Sequence, residues 1–132
     1  MGKPTDLGKI PVCAKQAWSF DLKLVGVAAD ASSMTGMVLN GQIRKGASPS
    51  TALVTPTIVV SAPVVTTATA TVTATVSVTE AQMASLSCTE KNFTTPTSYV
   101  LDIEGAYSDA PTIETLRFVA SIDIYQGGLA GV

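Results

Sequence analysis

From Trp18 to Leu24 the chain alternates: Trp18, Phe20, Leu22 and Leu24 fall on one side of an extended backbone, Ser19, Asp21 and Lys23 on the other. Period two over this length predicts a strand with one face on a core. After a connection of small residues and turn formers, "AADASSMTG", the alternation resumes. Met37, Leu39, Gly41 and Ile43 share one face; Val38, Asn40, Gln42 and Arg44 share the other. Asn40-Gly41 is also a hairpin dipeptide, but the flanks are short for two strands, so one strand is expected, with Gly41 the place for a bulge. Pro49, Pro56 and Pro63 then punctuate the chain, because a proline cannot donate to a strand ladder, and "TPTIVVSA" reads as a short strand.

The most regular stretch follows. Ala70, Val72, Ala74, Val76 and Val78 alternate with Thr69, Thr71, Thr73, Thr75 and Ser77. At Thr79 the period changes. Thr79 and Gln82 have the spacing of a capping box, and Met83 and Leu86 would meet on one face of a short helix near residues 80–87. Beyond the loop "CTEKNFTTPTS", Tyr99, Leu101 and Ile103 alternate with Val100, Asp102 and Glu104. After the turn "SDAPT", the residues Leu116, Phe118, Ala120, Ile122 and Ile124 mark a last strand. Strands with one apolar face and turns between them predict an immunoglobulin-like antiparallel β-sandwich of about six to eight strands with that one short helix. Residues 1–14 are expected to be an N-terminal arm, 15–126 the sandwich domain, and 127–132 a flexible C-terminal tail.

The 132 residues suffice for one domain. Only 14% are charged, against about 25% in an ordinary soluble domain; Thr, Val and Ala fill the difference, and Thr and Val favour a pleated sheet. Net charge is −2 and the eight Lys and Arg are scattered, which excludes the basic footprint of a nucleic-acid binder. No apolar run reaches the length of a signal-peptide core or a membrane span, and Asp6 stands where a myristoylation signal needs Ser or Thr. The chain is therefore expected to be made in the cytosol, not secreted, and to have no membrane partner.

Candidate chemistry is sparse. There is no histidine, which removes Ser-His-Asp and Cys-His catalysis and every His-bearing zinc site. Cys13 and Cys88 form neither a CxxC pair nor a zinc pattern; they read as small buried hydrophobes, with a long-range disulfide as the alternative. Asp102 and Glu104 lie two apart on one strand face, a spacing open to glycoside chemistry, but nothing beside them would desolvate either, and a solvated face is expected. "YSDAPTIE" offers Asp109 and Glu114, too few ligands for Ca²⁺. No catalytic, metal or cofactor residue is assigned.

One feature asks for a function. From Gly46 to Thr79 there is no Asp, Glu, Lys or Arg. Exposed strands are normally guarded by charge, proline or cover, and a run such as "ATVTATVSV" is an aggregation hazard when exposed. Burial against another subunit would explain it, because uncharged Thr packs without stranding charges. The candidate interface is Thr69, Thr71, Thr73, Thr75 and Ser77, with the flanking Pro49, Pro56 and Pro63 and Leu129 of the tail.

The order of these segments carries a resemblance. "WSFDLKL", a small-residue turn, "TGMVLNGQIRKG", a hydroxyl-rich strand ending in "VTEAQMASL", "YVLDIEG" and "ETLRFVASIDI" together resemble a family of bacteriophage tail and baseplate domains typified by the N-terminal domain of the phage baseplate upper protein. Gly36, Gln42-Ile43-Arg44, Gln82, Leu86, Tyr99, Asp102, Ile103 and Glu104 match its motifs; Leu101 stands where a second Tyr is common, and the Pro49–Pro63 region is longer than usual. The resemblance spans Trp18 to Tyr125. It implies a β-sandwich virion module without catalysis, partnered by other virion proteins and by copies of itself, in the tail, baseplate or fibre-attachment apparatus. The alternatives are a cement protein on the phage head and a carbohydrate-binding β-sandwich. The last is disfavoured by few aromatics, with Trp18 and Phe20 turned to the core.

Overall fold

The computed structural model describes residues 5–46, 52–88, 95–106 and 116–125. The strands are β1 (Thr5–Cys13), β2 (Trp18–Val27), β3 (Val38–Arg44), β4 (Ala52–Val54), β5 (Thr57–Val60), β6 (Val64–Val65), β7 (Thr69–Val78), β8 (Thr97–Ala106) and β9 (Leu116–Tyr125). They form two sheets. One has the order β1-β9-β8-β3-β4; the other has the order β2-β7-β5, with β6 also on β7. The fold is a β-sandwich.

The core lies where the alternation puts it. Ala70, Val72, Ala74 and Val76 have no exposed surface, while the intervening Thr side chains are half-exposed. From the other sheet come Leu39, Ile43, Tyr99, Leu101, Ile103, Ile122 and Ile124. The small Ala side chains of β7 alternate with Val, so opposing Ile and Leu can interdigitate. Gly105 shows how close the backbones come: a Cβ there would lie 2.5 Å from the Val38 carbonyl oxygen.

The expected short helix is present. Helix α2 (Glu80–Met83) starts at Thr79, whose Oγ1 accepts from the Gln82 N–H while Gln82 Oε1 accepts from the Thr79 N–H. Met83 and Leu86 are buried. The helix is tied down at two points: Gln82 Nε2 donates to the carbonyl of Thr55, between β4 and β5, at 2.8 Å, and Trp18 Nε1 of β2 to Met83 Sδ at 3.0 Å.

Several expectations are corrected. The N-terminal stretch is no arm over residues 5–13: it is β1, paired parallel with β9, so the sandwich is antiparallel except at this edge. The strands number nine among the described residues, above the six to eight expected. "AADASSMTG" is more than a turn, since a 3-10 turn (Ala28–Asp30) leads into α1 (Ala31–Met34) and buries Met34. Strand β3 runs through Gly41 in unbroken register with β8; its irregularity falls between Ile43 and Arg44 on the β4 side. Gly41 lies in the core, where a Cβ would come 3.1 Å from Ile58 Cδ1. The tail 127–132, with Leu129, and the loop residues Asp109 and Glu114 lie outside the described residues.

Candidate functional site: the outer face of the four-stranded sheet

Register assembles this face from four strands. Antiparallel partners point the same way, so rows cross β2, β7 and β5 or β6. The rows are Ser19, Ser77 and Thr57; Asp21, Thr75 and Val59; Val25, Thr71 and Val64; and Val27 beside Thr69. Between the second and third, Lys23 lies opposite Thr73, whose N–H donates to Ser61 Oγ at 2.9 Å. Charge is confined to Asp21 and Lys23 on β2. Val25, Val27, Val59 and Val64 are 66%, 58%, 62% and 67% exposed, and three of them ring Thr71 and Thr69.

The hydroxyls divide into used and unused. Thr69 Oγ1 lies 2.8 Å from Thr66 Oγ1 in the β6–β7 turn, where the Thr66 N–H also donates to the Thr69 carbonyl. Thr75 Oγ1 donates to Asp21 Oδ1 at 2.8 Å, and Ser77 Oγ to the Thr57 carbonyl at 3.5 Å. The side chains of Thr71 and Thr73 bond to nothing among the described residues. These two hydroxyls, set among exposed valines, are the centre of the face.

The remaining candidates separate. Pro56 is buried beside Gly41 and cannot belong to a surface. Pro63 is half-buried between β5 and β6 and breaks that sheet edge. Pro49 lies outside the described residues. The exposed valines were the missed residues of this face. Carrying the β2 alternation two steps beyond Lys23 would have found Val25 and Val27.

The opposite face of the molecule is polar and internally neutralised. Register brings Asn40, Glu104 and Arg117 into one row and Gln42 beside Asp102 in the next. Arg117 binds Asp102 through two of its nitrogens, Nε to Oδ1 at 3.1 Å and Nη2 to Oδ2 at 2.9 Å, and approaches Glu104 at 3.7 Å. Its pKa is raised above the ordinary guanidinium value, by the hydrogen bonds to Asp102 first and the charge of Asp102 second. Gln42 and Arg44 hydrogen-bond beside it. Together these side chains line a cleft of about 580 Å³. Both Asp102 oxygens are engaged by the guanidinium, so the carboxylate pair does not present a free acid and a free base.

Cys13 and Cys88 are half-buried and are not joined by a disulfide; Cys88 Sγ donates to the Ile124 carbonyl at 3.4 Å. Among the described residues no group of three His, Cys, Asp or Glu is placed to hold a metal. Among the described residues no helix is long and apolar enough to cross a membrane. Trp18 stacks on Phe20 with ring centroids 6.2 Å apart, on the core side of β2 and away from this outer face.

The chain matches no protein-family model and no curated protein.

Proposed function

We propose that this protein is a non-catalytic structural subunit of a bacteriophage particle, an assembly module of the tail, baseplate or fibre-attachment apparatus. The observation that carries this reading is the outer face of β2, β7, β5 and β6: half-exposed hydroxyls between exposed valines, with no charge on three of its four strands. A face that served only solvation would carry charge against sticking. This one has the character of an interface core, apolar and depleted of charge. Covering the four valines would return roughly 1–2 kcal/mol each, the unburied share of a full Val burial. The resemblance in motif order to phage tail and baseplate domains supplies the virion context.

The test is incorporation. Thr71→Lys with Thr73→Lys puts two ammonium groups at the centre of the face without touching the core. Phage that supply only this variant should yield particles lacking the subunit, or no mature particles, while the isolated variant keeps its sheet content by circular dichroism. Normal incorporation would refute an interface on this face. A subunit recovered with heads and absent from tails would move the reading to a cement protein.

A further inference from the structure

We infer that β2 is a self-pairing edge, across which two copies of this chain join their four-stranded sheets around a two-fold axis at Leu22. This goes beyond the function proposed above and does not rest on it: it concerns the sheet's edge rather than its face, and a chain of any role could use it.

The sandwich has four edges, and three are blunted. Strand β1 carries Pro11 and a register break between Asp6 and Lys9, where Gly8 takes φ +84°. Strand β4 has three residues, and the β5–β6 edge is broken at Pro63. Strand β2 differs. It runs ten residues in unbroken register on β7, contains no proline, and has no second strand beside it among the described residues. Its only guards are the two charges, Asp21 and Lys23, and a second copy in the right register turns them from guards into partners.

The direction of its free groups follows from the ladder. The Ala28 N–H donates to the Ala68 carbonyl at 3.1 Å, in the register that pairs Trp18 with Val78. In an antiparallel pair the bonded residues alternate. The even-numbered residues of β2 therefore turn their amides to β7. Ser19, Asp21, Lys23, Val25 and Val27 turn theirs to the open edge. Strand β7 agrees, since Thr73, opposite Lys23, gives its carbonyl to Ser61 on the far side.

A second copy of β2 completes this edge. With the axis at Leu22, Asp21 lies opposite the partner's Lys23 and Lys23 opposite the partner's Asp21, both as bonded pairs. Centred on Asp21, the strands would set carboxylate against carboxylate; centred on Lys23, ammonium against ammonium. Opposite charges across a pair stabilise and like charges destabilise, so Leu22 is the favoured centre. On the core side, Phe20 then meets the partner's Leu24, and Trp18 meets the partner's Gly26, large against small. Trp18, Phe20, Leu22 and Leu24 are only half-buried in one chain, whereas the core-facing residues of β7 are sealed. Asp21 Oδ1 already accepts from Thr75, and its second oxygen is unbonded among the described residues.

Sedimentation velocity of the full chain tests this. The wild type should sediment at twice the 13.5 kDa of one chain. Asp21→Lys and Lys23→Asp should each weaken association at least about tenfold, because each places like charges together twice. An equimolar mixture of the two variants should restore the dimer, since each then meets its complement. Thr71→Lys alone, opposite the uncharged Val25 on β2, should leave the dimer intact. Four results would overturn the inference: a monomeric wild type, whether its edge takes another chain or a segment of its own; single variants that still dimerise; a mixture that stays monomeric; or a dimer lost with the Thr71 change, which would place self-association on the face.

Discussion

Val76→Asp and Thr75→Asp differ by one position and should differ by most of the domain's stability. Val76 is fully buried on the core side of β7; Thr75 is half-exposed on the other side. Val76→Asp removes a buried side chain worth roughly 1.5–3 kcal/mol and strands a carboxyl group in an apolar site, a further cost of several kcal/mol. The sum is on the order of the 5–15 kcal/mol that holds such a domain together. Thr75→Asp loses the bond to Asp21, about 1 kcal/mol, and faces that carboxylate across the pair, about 0.2–1 kcal/mol more. Urea unfolding followed by Trp18 fluorescence reads both. With a slope of about 1–3 kcal/mol per molar, Thr75→Asp should lower the midpoint by about 1 M, while Val76→Asp should leave little or no folded baseline. Val76→Ala, expected to cost about 2 kcal/mol for two methylene equivalents and the space they leave, keeps the comparison measurable. If Thr75→Asp were the more disruptive change in the isolated subunit, the two faces of β7 would be inverted, since a one-residue slip exchanges them.

Other consequences follow from the same packing. Thr79→Ala breaks the capping box and should cost about 1 kcal/mol in the same urea assay; Gln82→Ala should cost more, because it also removes the bond to the Thr55 carbonyl. Gly105→Ala forces a Cβ toward the Val38 carbonyl and should destabilise by about 1–3 kcal/mol, whereas Gly8→Ala meets open space but must hold a φ of +84° and should cost about 1–2 kcal/mol through the backbone alone. Arg117 has a raised pKa. A group shifted upward stabilises fully below its unfolded value and loses that contribution only as pH rises through the folded one. The midpoint difference between wild type and Arg117→Gln should therefore be the same at about pH 7 and about pH 9; a difference that closes by pH 9 would refute the assignment.

What the sequence shows of this fold depends on how local the signal is. Strands β2, β7, β8 and β9 are legible because each has a continuous apolar face at period two. Helix α2 is legible because its cap is a four-residue pattern. Strand β1 is hidden because Gly8 and Pro11 read as breakers, and both are tolerated only at an edge; its parallel partner β9 lies more than a hundred residues on. Helix α1 is hidden because Ala and Ser predominate and the one residue that seals it, Met34, carries no periodicity alone. The Thr face is visible as composition, but its valines come from three strands, and the row of Val25, Thr71 and Val64 exists only once register is known. The same holds for Arg117 and Asp102, 15 residues apart and joined by the β8–β9 pairing.

The central claim is that this sandwich is a building block of a virus particle. Gold-labelled antibody against the protein, applied to purified particles of its phage and viewed by electron microscopy, tests that most directly. Label at the tail tip or fibre-attachment region is the expected result. Absence of label from the particles, with the same antibody binding the isolated protein, would contradict it.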